Sequence, residues 1–183
     1  LSAELAGGDL RRKKAAIEGL RKLGTDAAIE PLSNALTDPD SRIRVEAIHA
    51  LAEIGGDNTI AALAGASADE DAWVRQEASY ALGWIGGDFA IQQLKVLLRD
   101  ADQKVRGAAI LGFGEIGGHE SVAALSVLLR DEDLSTRVNV VDALGEIGGD
   151  AARPYLEEAL NDANEIVRER VTEYLEDTSG TEP

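Results

Sequence analysis

The sequence predicts an all-α fold, a solenoid in which two-helix units stack with a period of about 31 residues. Three series carry that prediction. Asp40, Asp71, Asp102 and Asp133 stand 31 residues apart, with Asn164 next in line and Asp9 one step before. Arg44, Arg75, Arg106, Arg137 and Arg168 keep the same step, begun by Lys13. The pairs Gly55-Gly56, Gly86-Gly87, Gly117-Gly118 and Gly148-Gly149 keep it too. Units of this length cannot bury their own apolar face and stack on their neighbours to do so. No segment alternates apolar and polar residues over a useful length, so no strand is expected.

Leu1 and Leu5 align with Leu32 and Leu36, which places the start of the chain inside an outer helix of a truncated first unit. From Asp40, Ile43, Ala47, Ala50, Leu51 and Ile54 fall at helical spacing and form one apolar stripe. Val74, Ala78, Ala81, Leu82 and Ile85 repeat it in the next unit. Asp40 is placed as N-cap, because a short carboxylate accepts from the orphan N–H groups of the first turn. Gly55 is placed at the helix end, where glycine reaches the left-handed conformation without a Cβ penalty. A shorter helix then opens at Asp57, expected as its cap, and carries Ile60 and Leu63. Its counterparts are Asp88 with Ile91, Leu94 and Leu98, then Val122, Leu125 and Leu129.

The phrase Val74-Arg75-x-x-Ala78-x-x-Ala81-Leu82-Gly83-x-Ile85-Gly86 resembles the HEAT-like repeat of phycocyanobilin lyase type. The resemblance runs to about Asp177 in five to six copies. It implies a right-handed α-solenoid over residues 1–177, followed by an acidic tail at 178–183. It also implies that the Val-Arg helix lines a concave face with the shorter helix outside, and that the Asp–Arg pattern ties adjacent units together. The family includes chromophore lyases, their non-catalytic relatives and scaffolds.

Composition narrows the function. The chain has no cysteine, so disulfides, thiolate metal sites and cysteine nucleophiles are excluded. No apolar run approaches the roughly 20 residues that span a bilayer, and no secretory pattern opens the chain, so membrane association is not expected and a cytoplasmic location is. The 34 acidic and 18 basic residues leave a formal net charge of −16, which argues against nucleic acid as a partner. Either a basic protein partner or a salty cytoplasm accounts for it; lysine occurs only five times. A chain that opens on leucine and lacks methionine reads as an excerpt or processed form of a longer repeat protein.

Several patterns imitate active sites. Gly112-x-Gly114-x-x-Gly117 matches the dinucleotide fingerprint, but here it closes a helix instead of opening one after a strand. Asp38/Asp40, Asp69/Asp71, Asp100/Asp102 and Asp131/Asp133 look like metal-binding pairs; their recurrence in nearly every unit fits capping better. Asp40 lies four residues before Arg44, at the spacing of a local ion pair. His49 and His119 lie more than two units apart and assemble no Ser/His/Asp group. His119-Glu120 is a single pair, so the several His-Glu pairs that hold iron in the HEAT-like deoxyhypusine hydroxylase are not matched. No cofactor is expected.

Function is sought where units differ. On the Val-Arg helix, one row reads Arg42, Glu46, His49, Glu53 in the second unit and Trp73, Glu77, Tyr80, Trp84 in the third. The next two units give Lys104, Ala108, Leu111, Glu115, then Ser135, Asn139, Asp142, Glu146. Both tryptophans of the chain share this row, and large aromatic side chains supply much of the contact energy in binding sites. The competing reading is infill: Gly65 and Ser67 stand where other units place leucines, and a tryptophan would cover the gap. That defect predicts that residues 57–70 are the softest part of the solenoid.

Two functions follow. The first is a non-catalytic scaffold gripping a protein partner in its groove through Trp73, Tyr80 and Trp84. Arg42, His49, Lys104 and Leu111 flank that patch, and Glu53, Glu77, Glu115 and Asp142 would select basic residues. The second, from the resemblance, is a phycobilin lyase-like protein. A tetrapyrrole would stack on the tryptophans there, with Arg42 or Lys104 holding its propionates. A mere spacer within a longer protein is a third reading.

Overall fold

The computed structural model describes residues 1–179, and every regular element among them is helical. The chain is an α-solenoid of helical repeats. Its contacts group into two compact units, Leu1–Ala109 and a second that begins at Ile110. No helix among the described residues is long and apolar enough to cross a membrane.

In the first unit, α1 (Ser2–Gly7), α3 (Ile29–Ala35), α5 (Asp57–Ala66) and α7 (Asp88–Leu97) form one layer, and α2 (Leu10–Leu23), α4 (Ser41–Ile54) and α6 (Ala72–Ile85) the other. Each long helix packs on its neighbours in both layers. In the second unit, α10 (Leu134–Ile147) packs on α9 (Gly118–Ser126), α11 (Gly149–Ala159) and α12 (Glu165–Ser179). The remaining helix, α8 (Gln103–Ile116), contains the boundary between the units. α12 runs through Ser179, and the rest of the expected acidic tail, 180–183, lies outside the described residues.

The expected stripe is core: Ile43, Ala47, Ala50 and Leu51 are fully buried, as are Val74, Ala78 and Leu82. A second buried row, Ile48 and Ser79 in the first unit and Ile110 and Val141 in the second, lies beside it. Ser79 reaches that depth because its Oγ donates to the Arg75 carbonyl at 2.9 Å.

The two aspartates of each Asp-x-Asp divide the labour. The second caps: Asp40 accepts from Arg42 N, Asp71 from Trp73 N and Asp102 from Lys104 N, all at 2.8–3.0 Å. The first accepts the N–H of the second, and Asp38, Asp69 and Asp100, like Asp162 before Asn164, also pair with a basic residue of the preceding repeat. Arg44 reaches Asp69 at 2.8 Å, Arg75 reaches Asp100 at 2.7 Å, and Arg137 reaches Asp162 at 2.8 Å. Lys13 does the same with Asp38. Arg44 Nε lies 2.8 Å from the other Asp69 oxygen but is not aimed along its N–H. The local Asp40–Arg44 pair expected from the spacing therefore does not form. Arg44 points along the stack, and Asp40 holds Arg42 instead.

The glycine pairs also differ from expectation. Gly55 has φ 69° and ψ −174°, and Gly56 φ 85° and ψ 164°. This is the extended positive-φ region that essentially only glycine enters, not the left-handed helical one, and it explains why both residues are glycine. The second glycine, not the following aspartate, is the N-cap of α5 and α7: Gly56 and Gly87 stand there without a side-chain cap.

Gly65 is not a core gap. A Cβ there would meet nothing within 4 Å, and its repeat-mates Val96 and Val127 are 68% and 72% exposed. The thinner packing lies one residue on, where Ala66 and Ser67 stand in place of the buried Leu97 and Leu98. Gly65 sits inside a helix with room for a methyl group. Gly65→Ala is therefore expected to raise the unfolding free energy by about 0.5–1 kcal/mol in urea titration; a loss would mean that the backbone there is not helical.

Candidate aromatic binding face

The α6 row is set by its cap and its period. With Asp71 fixing the first turn, positions 73, 77, 80 and 84 recur every three to four residues and share one face, away from the buried Val74, Ala78 and Leu82. Trp73 is 42% exposed, Tyr80 40% and Trp84 76%. A side chain three-quarters in solvent fills no core. The cleft beside Gly65, about 540 Å³, has Ser33, Leu36, Ala62 and Gly65 among its walls, and neither tryptophan lines it. The infill reading loses its geometric basis.

Glu77 organises the row. One carboxylate oxygen accepts from Trp73 Nε1 at 3.1 Å, and the other lies 2.8 Å from His49 Nε2 on α4. Gln76 donates to the Tyr80 hydroxyl at 3.2 Å. The Trp73 ring and His49 are thereby held in place, while the Trp84 indole makes no hydrogen bond among the described residues.

The charged candidates are less available than the sequence implied. Arg42 is bound by both oxygens of Asp40, at 2.9 and 2.6 Å. That guanidinium holds the Asp40 carboxyl down to about 2. Glu53 accepts two hydrogen bonds from Arg21, at 2.6 and 2.8 Å, and Glu46 takes Lys14 at 2.7 Å. Hydrogen bonds to Glu53 and then Glu18 raise the pKa of Arg21. Lys104 has no ion-pair partner among the described residues. Leu111, 43% exposed, and Glu115 continue its row along α8, but both belong to the second unit. In that unit Asp142 pairs with Arg170 at 3.1 Å.

The residues that sequence reasoning missed are therefore Lys14 and Arg21 on α2, which close the carboxylates of α4. A signal existed. Lys14–Glu46 and Arg21–Glu53 are both 32 apart, one repeat plus one residue. Chemically, the face offers aromatic surface flanked by closed ion pairs. Gly112 and Gly114 lie inside α8 with no strand before them, so the glycine fingerprint has no phosphate-binding setting.

No curated protein matches the chain. Among solved structures, it is similar to an engineered protein at 25% identity, covering 98% of this chain and 95% of that one, with a TM-score of 0.56. A designed armadillo repeat protein in complex with the peptide (KR)4 is 23% identical over 96% of each chain, with a TM-score of 0.59. The complex of CpcE and CpcF of phycocyanin lyase from Nostoc sp. PCC7120 is 19% identical over 95% of this chain and 74% of that one, with a TM-score of 0.64. Below 25% identity, the likeness is one of fold. The sequence itself matches HEAT repeats over residues 1–83 and 91–176, and with the stacked helical repeats just described, the chain belongs to the HEAT repeat family.

Proposed function

We propose that this chain is a non-catalytic scaffold that holds a basic protein segment against the α2–α4–α6 layer, in the groove those helices line, with Trp73, Tyr80 and Trp84 as the apolar anchors. The observation that carries the reading is the concentration of exposed aromatic surface in one row of α6. Exposed apolar clusters of this kind mark interaction sites, and buried aromatics dominate interface energies. A net charge of −16 favours basic partners over long range. The designed armadillo neighbour, which holds a Lys/Arg peptide, is a precedent for such a ligand on a related solenoid.

The closed ion pairs do not oppose this. Exposed pairs such as Arg21–Glu53 contribute only about 0–1 kcal/mol, so a partner's lysine or arginine exchanges for Arg21 or Lys14 at little cost. A phycobilin lyase-like role draws on the fold shared with CpcE and CpcF. It fits less well, because a net charge of −16 disfavours an anionic tetrapyrrole. Visible absorbance after exposure to bilin distinguishes the two.

Selection of a random peptide library on the chain tests the scaffold reading. Enriched sequences should combine lysine or arginine with apolar residues. Their affinity should fall about tenfold or more on Trp73→Ala/Trp84→Ala, whose circular dichroism stays unchanged. Enriched peptides that bind this folded variant equally well would remove the α6 face from the account.

A further inference from the structure

The aromatic anchors are confined to one helix. A solenoid that reads an extended peptide across its helices needs matching side chains on successive helices. Here the same row on α4 is Arg42, Glu46, His49 and Glu53, and each of these is already paired: with Asp40, Lys14, Glu77 and Arg21 respectively. A segment crossing the layer would meet one aromatic residue on α6 and then charged or polar side chains, with no apolar anchor on α4. To use Trp73, Tyr80 and Trp84 together, it must run along α6, over about 16 Å at 1.5 Å per residue.

Along that line, the α6 face offers a strand almost nothing to bond. The α6 backbone is satisfied within its own helix, and Glu77 already receives Trp73 and His49. An extended segment would lay its N–H and C=O groups on aromatic rings without partners, which costs free energy for every group left unpaired. A helix satisfies its backbone internally and presents only side chains. Its apolar residues at i, i+4, i+7 and i+11 repeat at the spacing of the α6 row, the arrangement of nearly parallel helix packing. The net charge of −16 favours a basic helix, and Glu46 and Glu53 on α4, 42% and 55% exposed, are held by Lys14 and Arg21 only in exposed pairs that a partner's cation replaces at little cost.

From this we infer that the segment docks as an amphipathic basic helix of about three turns, laid along α6 with its apolar ridge on Trp73, Tyr80 and Trp84 and its lysines or arginines toward Glu46 and Glu53. This rests on the scaffold reading above and narrows it to one ligand shape.

Two leucine/lysine peptides of about 14 residues and identical composition test it, about half a turn longer than the row requires. One carries its leucines at helical spacing, the other at alternate positions. Calorimetric titration should show the helical isomer binding about tenfold more tightly than the alternating one, and losing about tenfold on Trp73→Ala/Trp84→Ala. If the alternating isomer binds equally well and still depends on the tryptophans, the helical geometry is wrong and the scaffold reading survives. If neither isomer shows tryptophan-dependent binding, both fall. A dimer of the free chain that Trp84→Ala dissociates would assign the face to a second copy and overturn the helix proposal.

Discussion

Asp100→Ala should lower the unfolding free energy by about 2–4 kcal/mol. Asp100 accepts from Arg75 Nε at 2.7 Å and Nη2 at 2.8 Å, and also from the N–H of Asp102 at 2.8 Å. The two side chains are only 17% and 10% exposed. Removing the carboxylate strands a largely buried guanidinium, leaves the Asp102 N–H unbonded at the head of α8, and cuts one link between successive repeats. The Arg75 bonds to the carbonyls of Asp69 and Glu70 remain, which is why the cost is not larger. Urea unfolding at neutral pH measures the loss. A change under 0.5 kcal/mol, the size typical of exposed pairs, would mean that the link is ornamental.

The same residue predicts acid sensitivity. The Arg75 guanidinium holds the Asp100 carboxyl below its ordinary value, against the opposing effect of burial. At Asp162 burial pushes upward, but the Asn164 N–H and Arg137 outweigh it. Both groups bind a proton less readily folded than unfolded. Their stabilisation is therefore complete above the ordinary carboxylate pKa of about 4, and is lost as pH falls through the lower folded values. Asp100→Asn should flatten the stability curve in that acid window, and a curve parallel to the parent's would contradict the assignment.

Gly145→Ala should cost about 1–3 kcal/mol, although alanine is ordinarily the better helix residue. Gly145 lies inside α10, and a Cβ there would intrude on Cγ and Cδ1 of the Tyr174 ring on α12. That ring is half-buried, and its hydroxyl lies 3.4 Å from Asp142, so it has little room to retreat. At Gly114, the same register one repeat earlier, the nearest obstacle is the Ala143 Cβ at 3.4 Å, and alanine should cost much less there. In a Tyr174→Ala background, Gly145→Ala should become neutral or stabilising. Equal costs in both backgrounds would show that the ring is not the obstacle.

These cases show what the sequence carried. Period, helix content, the aspartate N-caps of the long helices and the core stripe were legible because each is local or recurs at a fixed step; Asp40 and Leu51 needed no tertiary information. The caps of the short helices, by contrast, were misplaced by one residue. The partner of Arg44 was not legible in the same way. Asp40 at four residues and Asp69 at 25 are both plausible, and only the stacking distance between repeats selects the second. The common spacing of 32 pointed to Lys14–Glu46 and Arg21–Glu53, but choosing it over other spacings depends on which rows of adjacent helices face each other. Gly65 misled for a simpler reason: its position on the solvent side of α5 is a matter of rotation by one residue. The aromatic row of α6 was readable because it breaks the repeat, and its exposure was the part that required coordinates.

The two tryptophans are the only indoles in the chain, so their Nε1–H signals report the α6 face without any substitution. Nitrogen–proton NMR titration with the helical leucine/lysine peptide is the most direct test of the central claim. Both indole signals should shift together, along with the amides of α4 and α6, while those of α9 to α11 stay in place. Unmoved indoles alongside shifting amides elsewhere would contradict it, and the partner site would then lie off the aromatic face.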